Sequence, residues 1–140
     1  MSVERVRSAV ERRDLAALVE AMAPDVVFHR PATMRPVVGR EAVAELLAAL
    51  MVVFEDFRYV AVLGGVDDAP ESLAPVSGPL HGLVFRATVS GEPVEGIDLL
   101  TFDDTGQVTN FVVMMRPLAG LLAIADAVGA QMIATSGSVQ

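Results

Sequence analysis

Two apolar segments with the alternation of β-strands, residues 94–102 and 107–115, are joined by Asp103-Asp104-Thr105-Gly106. An Asp/Gly turn between two such runs is the pattern of a β-hairpin, so this part of the chain must contribute to an antiparallel sheet. Side chains alternate across a strand, which puts Gly96, Asp98, Leu100 and Phe102 on one face. A carboxylate in that row is either aimed at solvent or lodged in an apolar site. In the apolar site its charged form is disfavoured unless a partner is supplied.

Upstream of the hairpin the pattern is helical first and extended later. Val3, Val6, Val10, Leu15, Leu18, Val19 and Met22 recur at helical spacing, and Asp14 is placed to cap a second helical piece. Residues 25–31 read as a short strand ended by Pro31, which has no N–H for a ladder. A loop over 32–39 leads to a helix over 40–54 with Val43, Leu46, Leu47, Leu50, Met51 and Phe54 on one face. Strands are predicted at 57–66 and 80–89, on either side of a Pro- and Gly-rich connection at 67–79. The stretch 90–93 then turns into the hairpin. After Arg116-Pro117 comes a short apolar helix over 118–131, with a tail at 132–140 that frays. Helices followed by a run of antiparallel strands form the α+β pattern. One domain over residues 1–140, ordered from about 3 to 130, is expected.

Hydrophobic residues make up 53% of the chain and charged ones 20%. This apolar surplus must enter a core, an internal cavity or a subunit interface. No apolar run is read as reaching the ~20 residues that cross a bilayer. The charged N-terminus lacks the apolar stretch of a signal peptide, so the cytoplasm is the expected location and a membrane is not an expected partner. A net charge of −8 excludes the basic footprint of nucleic-acid binding. The chain has no cysteine, which removes disulfides, thiolate metal sites and Cys nucleophiles, and no lysine, which removes Schiff-base chemistry. His29 and His81 have no companion at ligand spacing, and there is no glycine-rich phosphate loop. Neither a metal nor a cofactor is expected.

Taken in order, several features resemble the nuclear transport factor 2-like superfamily, and most of all its SnoaL-like branch. They are the two N-terminal helices, the strand ending in proline, Gly39-Arg40-Glu41 opening a long helix, and the hairpin motif Gly96-x-Asp98-x-x-x-Phe102-Asp103-x-x-Gly106. The resemblance spans nearly all of residues 3–130. It implies an α+β cone, a curved antiparallel sheet wrapped around N-terminal helices with a central pocket. It also implies kinship with ketosteroid isomerases, polyketide cyclases, epoxide hydrolases, dehydratases and non-enzymatic binding domains. In ketosteroid isomerases an aspartate just before a proline moves the proton, and here Arg30 stands before Pro31. Their oxyanion-stabilising aspartic acid lies four residues before an aromatic leading into the turn, which Asp98 and Phe102 match. Their helix-borne tyrosine falls at an aliphatic near Val6.

The candidate catalytic residues are Asp98, Arg30 and His81. In an apolar pocket Asp98 would be a neutral acid that donates to a ligand oxygen, and otherwise a carboxylate paired with Arg30 or Arg86. Arg30 cannot serve as a base near neutrality but can hold a carboxylate, phenolate or enolate. His81 shares parity with Leu83, Phe85 and Ala87, the expected inward face. His29, next to Arg30, should point the other way. The expected pocket lining is Phe28, Leu46, Leu47, Met51, Tyr59, Phe85, Leu100, Phe111, Val113 and Met115, with Phe57 and Leu63 on the parity of Tyr59. Val112 and Met114 give the final strand an apolar outer face, which predicts a homodimer through that face. The expected ligand is a small lipophilic molecule. Two classes of function remain open: an isomerase, cyclase or dehydratase acting on a carbonyl compound, and a non-catalytic binding or dimeric assembly domain.

Overall fold

The computed structural model describes residues 2–66 and 80–138. In chain order the elements are α1 (Ser2–Glu11), α2 (Leu15–Glu20), β1 (Met22–His29), β2 (Val37–Val38), α3 (Arg40–Val53), β3 (Glu55–Val66), β4 (Leu80–Val89), β5 (Glu92–Phe102), β6 (Val108–Arg116) and α4 (Leu118–Ser138). The connection predicted at 67–79 lies outside the described residues.

The helical stretch divides as its sequence predicts. Asp14 Oδ1 accepts from the Ala17 N–H at 3.0 Å, capping α2. Gly39 takes a positive φ of 94° before α3, and Arg40 anchors that helix to β1 by donating Nε and Nη2 to the Met22 carbonyl at 2.9 and 2.6 Å. The Gly39-Arg40 pair thus joins the helical layer to the sheet.

The six strands form one sheet in the order β2-β1-β6-β5-β4-β3. The expected antiparallel sheet is mixed, because β1 pairs parallel with β6 while the other pairs are antiparallel. β1 begins at Met22, earlier than predicted. Its register shifts between Met22 and Val27, an irregularity that accommodates Pro24 without a ladder donor. The two-residue β2 was hidden in what reads as loop. β4 and β5 pair from Leu80↔Thr101 to Val89↔Glu92 with no shift, around a turn whose Ser90 and Gly91 both have positive φ. In the β5–β6 turn Asp103 Oδ1 accepts from the N–H groups of Thr105 and Gln107, and Gly106 adopts φ 83°.

β3 departs from simple alternation. Its register against β4 shifts between Tyr59 and Ala61, so Tyr59 opposes Phe85 while Leu63 opposes Gly82. Tyr59 and Leu63 therefore lie on opposite faces, correcting their shared parity. Leu63 Cβ instead sits 3.4 Å from where a Gly82 Cβ would stand, on the face carrying Ile97.

α4 also differs from the sequence reading. It continues beyond residue 131 as far as Ser138, where a frayed tail is predicted. By length and composition, its residues Leu118–Thr135 are long and apolar enough to cross a bilayer, which overturns the expectation that no run is. Few of these residues are buried, and Leu118, Leu122 and Ile133 are 71%, 60% and 74% exposed.

Gly96 governs how the concave face packs. It opposes Phe85, and an added Cβ would collide with the Met114 carbonyl oxygen and stand 2.6 Å from Phe85 Cζ. Replacing Gly96 with Ala is expected to lower the urea midpoint, at a cost of about 1–3 kcal/mol for overpacking. An unchanged midpoint would show that the β6 backbone at Met114 and the Phe85 ring can both give way.

Candidate functional site

The concave face of the sheet, α1, α3 and α4 together enclose a cavity of about 570 Å³. Phe28 and Phe111, paired across β1 and β6, stack with centroids 4.7 Å apart and floor one side. Phe57 stacks on Phe85 at 4.9 Å and meets Tyr59 edge-on at 5.0 Å, forming the opposite wall. Leu46, Leu47 and Met51 of α3 and Val113 of β6 complete the expected lining. Leu100 and Met115 do not border the cavity. Leu100 is sealed in the core behind it, and Met115 packs into the core from a partly buried position.

Helices supply most of the lining that the sequence reading did not include. Val10 and Leu18 come from the N-terminal pair, Leu50 and Phe54 from α3 and its C-cap, and Ile124, Val128 and Met132 from α4. The α3 pair was legible, since both residues share the apolar stripe of Leu46 and Leu47. The α4 residues carried no such signal, because that helix is apolar on every side.

Asp98 lies between Leu83 and Val113 in the middle of the sheet and is only 4% exposed. The Tyr59 hydroxyl donates to its Oδ2 at 2.6 Å. Burial pushes the Asp98 carboxyl up to about 7, while the hydrogen bond from Tyr59 pulls it back down. Burial, followed by the neighbouring Asp98 charge, drives the Tyr59 phenol well above its ordinary value. The phenol thus keeps its proton near neutrality, and burial moves the titration of the carboxyl up towards neutrality.

Arg30 also borders the cavity but does not pair with Asp98, and among the described residues no ion pair joins them. β6 stands between the strand leading into Arg30 and the strand carrying Asp98. Arg86, the other partner considered, pairs with Glu95 at 3.5 Å. His81 does not border the cavity; its ring meets Phe102 edge-on at 5.5 Å near the end of β4. His29 does not border it either, and its Nε2 is buried without a hydrogen-bond partner among the described residues. Arg13, which the sequence reading passed over, reaches the cavity from the α1–α2 junction and donates Nη2 to the Met51 carbonyl. Among the described residues no group of three potential metal ligands occurs.

This architecture has known counterparts. The SnoaL-like domain model matches residues 3–111. The chain belongs to the SnoaL-like family. This SnoaL-like domain is similar to a steroid delta-isomerase from Pseudomonas aeruginosa, with 31% identity over 97% of this chain and 92% of that one and a TM-score of 0.83. A Silicibacter pomeroyi protein with a cystatin-like fold is 28% identical over 93% and 84% of the two chains, with a TM-score of 0.80. A Mycobacterium tuberculosis protein crystallised in complex with estradiol-17beta-hemisuccinate shares the fold at 21% identity, a TM-score of 0.56, and 83% and 95% coverage. Among curated proteins there is no match.

The buried carboxyl has a thermodynamic signature. Its folded pKa of about 7 exceeds the ordinary 3.8, so between those values the folded state binds more protons than the unfolded one. Stability should therefore fall as pH rises through this window, by roughly 4 kcal/mol if the whole shift is expressed. Urea unfolding of wild type and Asp98→Asn across the window checks this, with the slope difference isolating Asp98. In Tyr59→Phe, loss of the donated hydrogen bond should raise the Asp98 pKa further, as read by carboxyl-carbon NMR.

Proposed function

We propose that this SnoaL-like domain binds a small lipophilic carbonyl compound and catalyses proton transfer next to its carbonyl, as an isomerase or cyclase does. The observation that carries the reading is the buried Asp98 carboxyl in the wall of an apolar cavity, held by Tyr59 and with its pKa raised by burial to about 7. A general acid–base works best with a pKa near the operating pH. Among the lining residues, the Tyr59 phenol keeps its proton near neutrality and a guanidinium does not act as a base, which leaves Asp98 to move one.

The ionised carboxylate takes a proton from the carbon beside the ligand carbonyl, giving a carboxylic acid and an enolate. The same proton then returns to another carbon, which shifts the double bond, or the enolate carbon attacks a second carbonyl carbon of the ligand, which closes a ring. In the ring closure the C=O π pair moves to oxygen, and that oxygen takes the proton back from Asp98. Tyr59 positions the carboxyl, leaving Oδ1 free of that hydrogen bond. Arg13, which lines the same cavity, favours the negative charge that develops on oxygen. The assignment moves the proton-transfer role from the position before the proline, where Arg30 stands, to Asp98. The 31% identity to a steroid delta-isomerase supports this class of chemistry and suggests a β,γ-unsaturated ketosteroid as the first compound to try.

The protein also pairs, in this reading, through the outer face of its sheet, where Met114 and Leu63 are about half exposed. A Met114→Glu variant should sediment as a monomer where wild type sediments as a dimer. A monomeric wild type would end that part of the reading.

Isomerisation of a β,γ-unsaturated ketosteroid, followed by the absorbance of its conjugated product, tests the chemistry. Asp98→Asn should lose about 10²–10⁴-fold in kcat while still binding the ketone, the range typical of removing a general acid–base. In wild type kcat/KM should rise with pH and level off above about 7, because the carboxylate is the active form. A wild type that binds the ketone without converting it would identify a binding module instead.

A further inference from the structure

The cavity is apolar over most of its wall, yet two arginines, Arg13 and Arg30, line it. Arg30 Nη2 donates to the Arg35 carbonyl at 3.1 Å, while its Nε is buried and has no hydrogen-bond partner among the described residues. Buried donors are nearly always satisfied, so an N–H in this position calls for an acceptor. Among the described residues no carboxylate lies within ion-pair distance of either Arg30 or Arg13. Arg13 adds a second positive charge, and among the described residues its one side-chain hydrogen bond goes to a neutral backbone carbonyl. The single acidic lining residue is Asp98, which the intervening β6 separates from Arg30. In a protein of net charge −8, two arginines without an ion-pair partner among the described residues therefore line one apolar recess.

We propose that the ligand of this cavity is an amphiphilic anion: a compact apolar body that fills the aromatic walls and an oxyanion, such as a carboxylate, seated on Arg30. This rests on the reading of the cavity as a lipophilic ligand site and adds its charge class. Arg30 presents a planar donor set suited to a carboxylate, and low-dielectric walls strengthen the attraction. β1 and β5 are two strand spacings apart, about 10 Å. The oxyanion end and the atoms facing Asp98 are thus opposite ends of one molecule, so a charged terminus would align the reacting carbon rather than compete with it. Arg30 is in this sense a specificity-determining residue.

A matched pair of fluorescent probes separates the two claims. N-phenyl-1-naphthylamine is neutral, and 8-anilinonaphthalene-1-sulfonate is the same skeleton with an added sulfonate. Both should bind wild type, compete for one site per chain, and differ in that only the sulfonate weakens as salt is raised. Arg30→Gln should weaken the sulfonate roughly tenfold or more, the size expected for a charge-assisted hydrogen bond, and leave the neutral probe unchanged. Arg30→Lys should retain part of the preference. Unchanged binding of the neutral probe also shows that each variant is folded. If Arg30→Gln leaves the sulfonate unaffected, or the two probes do not compete, the anion proposal fails while lipophilic binding stands. If neither probe binds wild type, both fail together.

Discussion

The pairing of β4 with β5, ten residue pairs without a shift, holds Asp98 on the concave side of the sheet. Because the register is unbroken, Phe85 lies opposite Gly96 and Leu83 opposite Asp98, so the large ring fills the space that glycine leaves beside the carboxyl. On the other side β6 places Val113 against Asp98. Apolar neighbours on both flanks leave the carboxyl with Tyr59 as its hydrogen-bond partner among the described residues. Its raised pKa follows from that enclosure rather than from a neighbouring charge.

Tyr59 reaches Asp98 because β3 is irregular. The shift after Tyr59 turns the following residues over, so the strand contributes Phe57 and Tyr59 to the cavity and sends Leu63 to the outer face. A regular strand would have aligned all three inward. The irregularity thus ends the aromatic wall at the residue whose hydroxyl the carboxyl needs. The separation of charge in the cavity has a similar origin. With β1 parallel to β6, the arginine that follows β1 is kept one strand away from β5, and the positive and titratable groups face the ligand space without neutralising each other.

Much of this was legible in residue order. The Asp/Gly turn and the alternation around it specify the hairpin, and Asp14 marks the break between the first two helices. Eight expected lining residues do border the cavity, because helical and strand spacing determine which side chains share a face. The errors cluster where periodicity stops being informative. Leu63 was misplaced because a β-bulge leaves no mark in composition. His81 has the inward parity, yet at the start of its strand it packs against Phe102 and does not border the cavity. α4 gave no facing signal because nearly every side chain on it is apolar, so only packing decides which of them meet the ligand space.

From its sequence alone, this chain determines an α+β domain of the SnoaL-like kind, an excess of apolar surface, and a carboxylate in an apolar strand with an arginine before the proline. These follow from local spacing and residue chemistry, which act over a few positions. The partners of those groups were decided only by tertiary structure. Asp98 meets Tyr59 and not Arg30, because strand order and a register shift, set by pairings far apart in the chain, determine which side chains come within hydrogen-bonding reach.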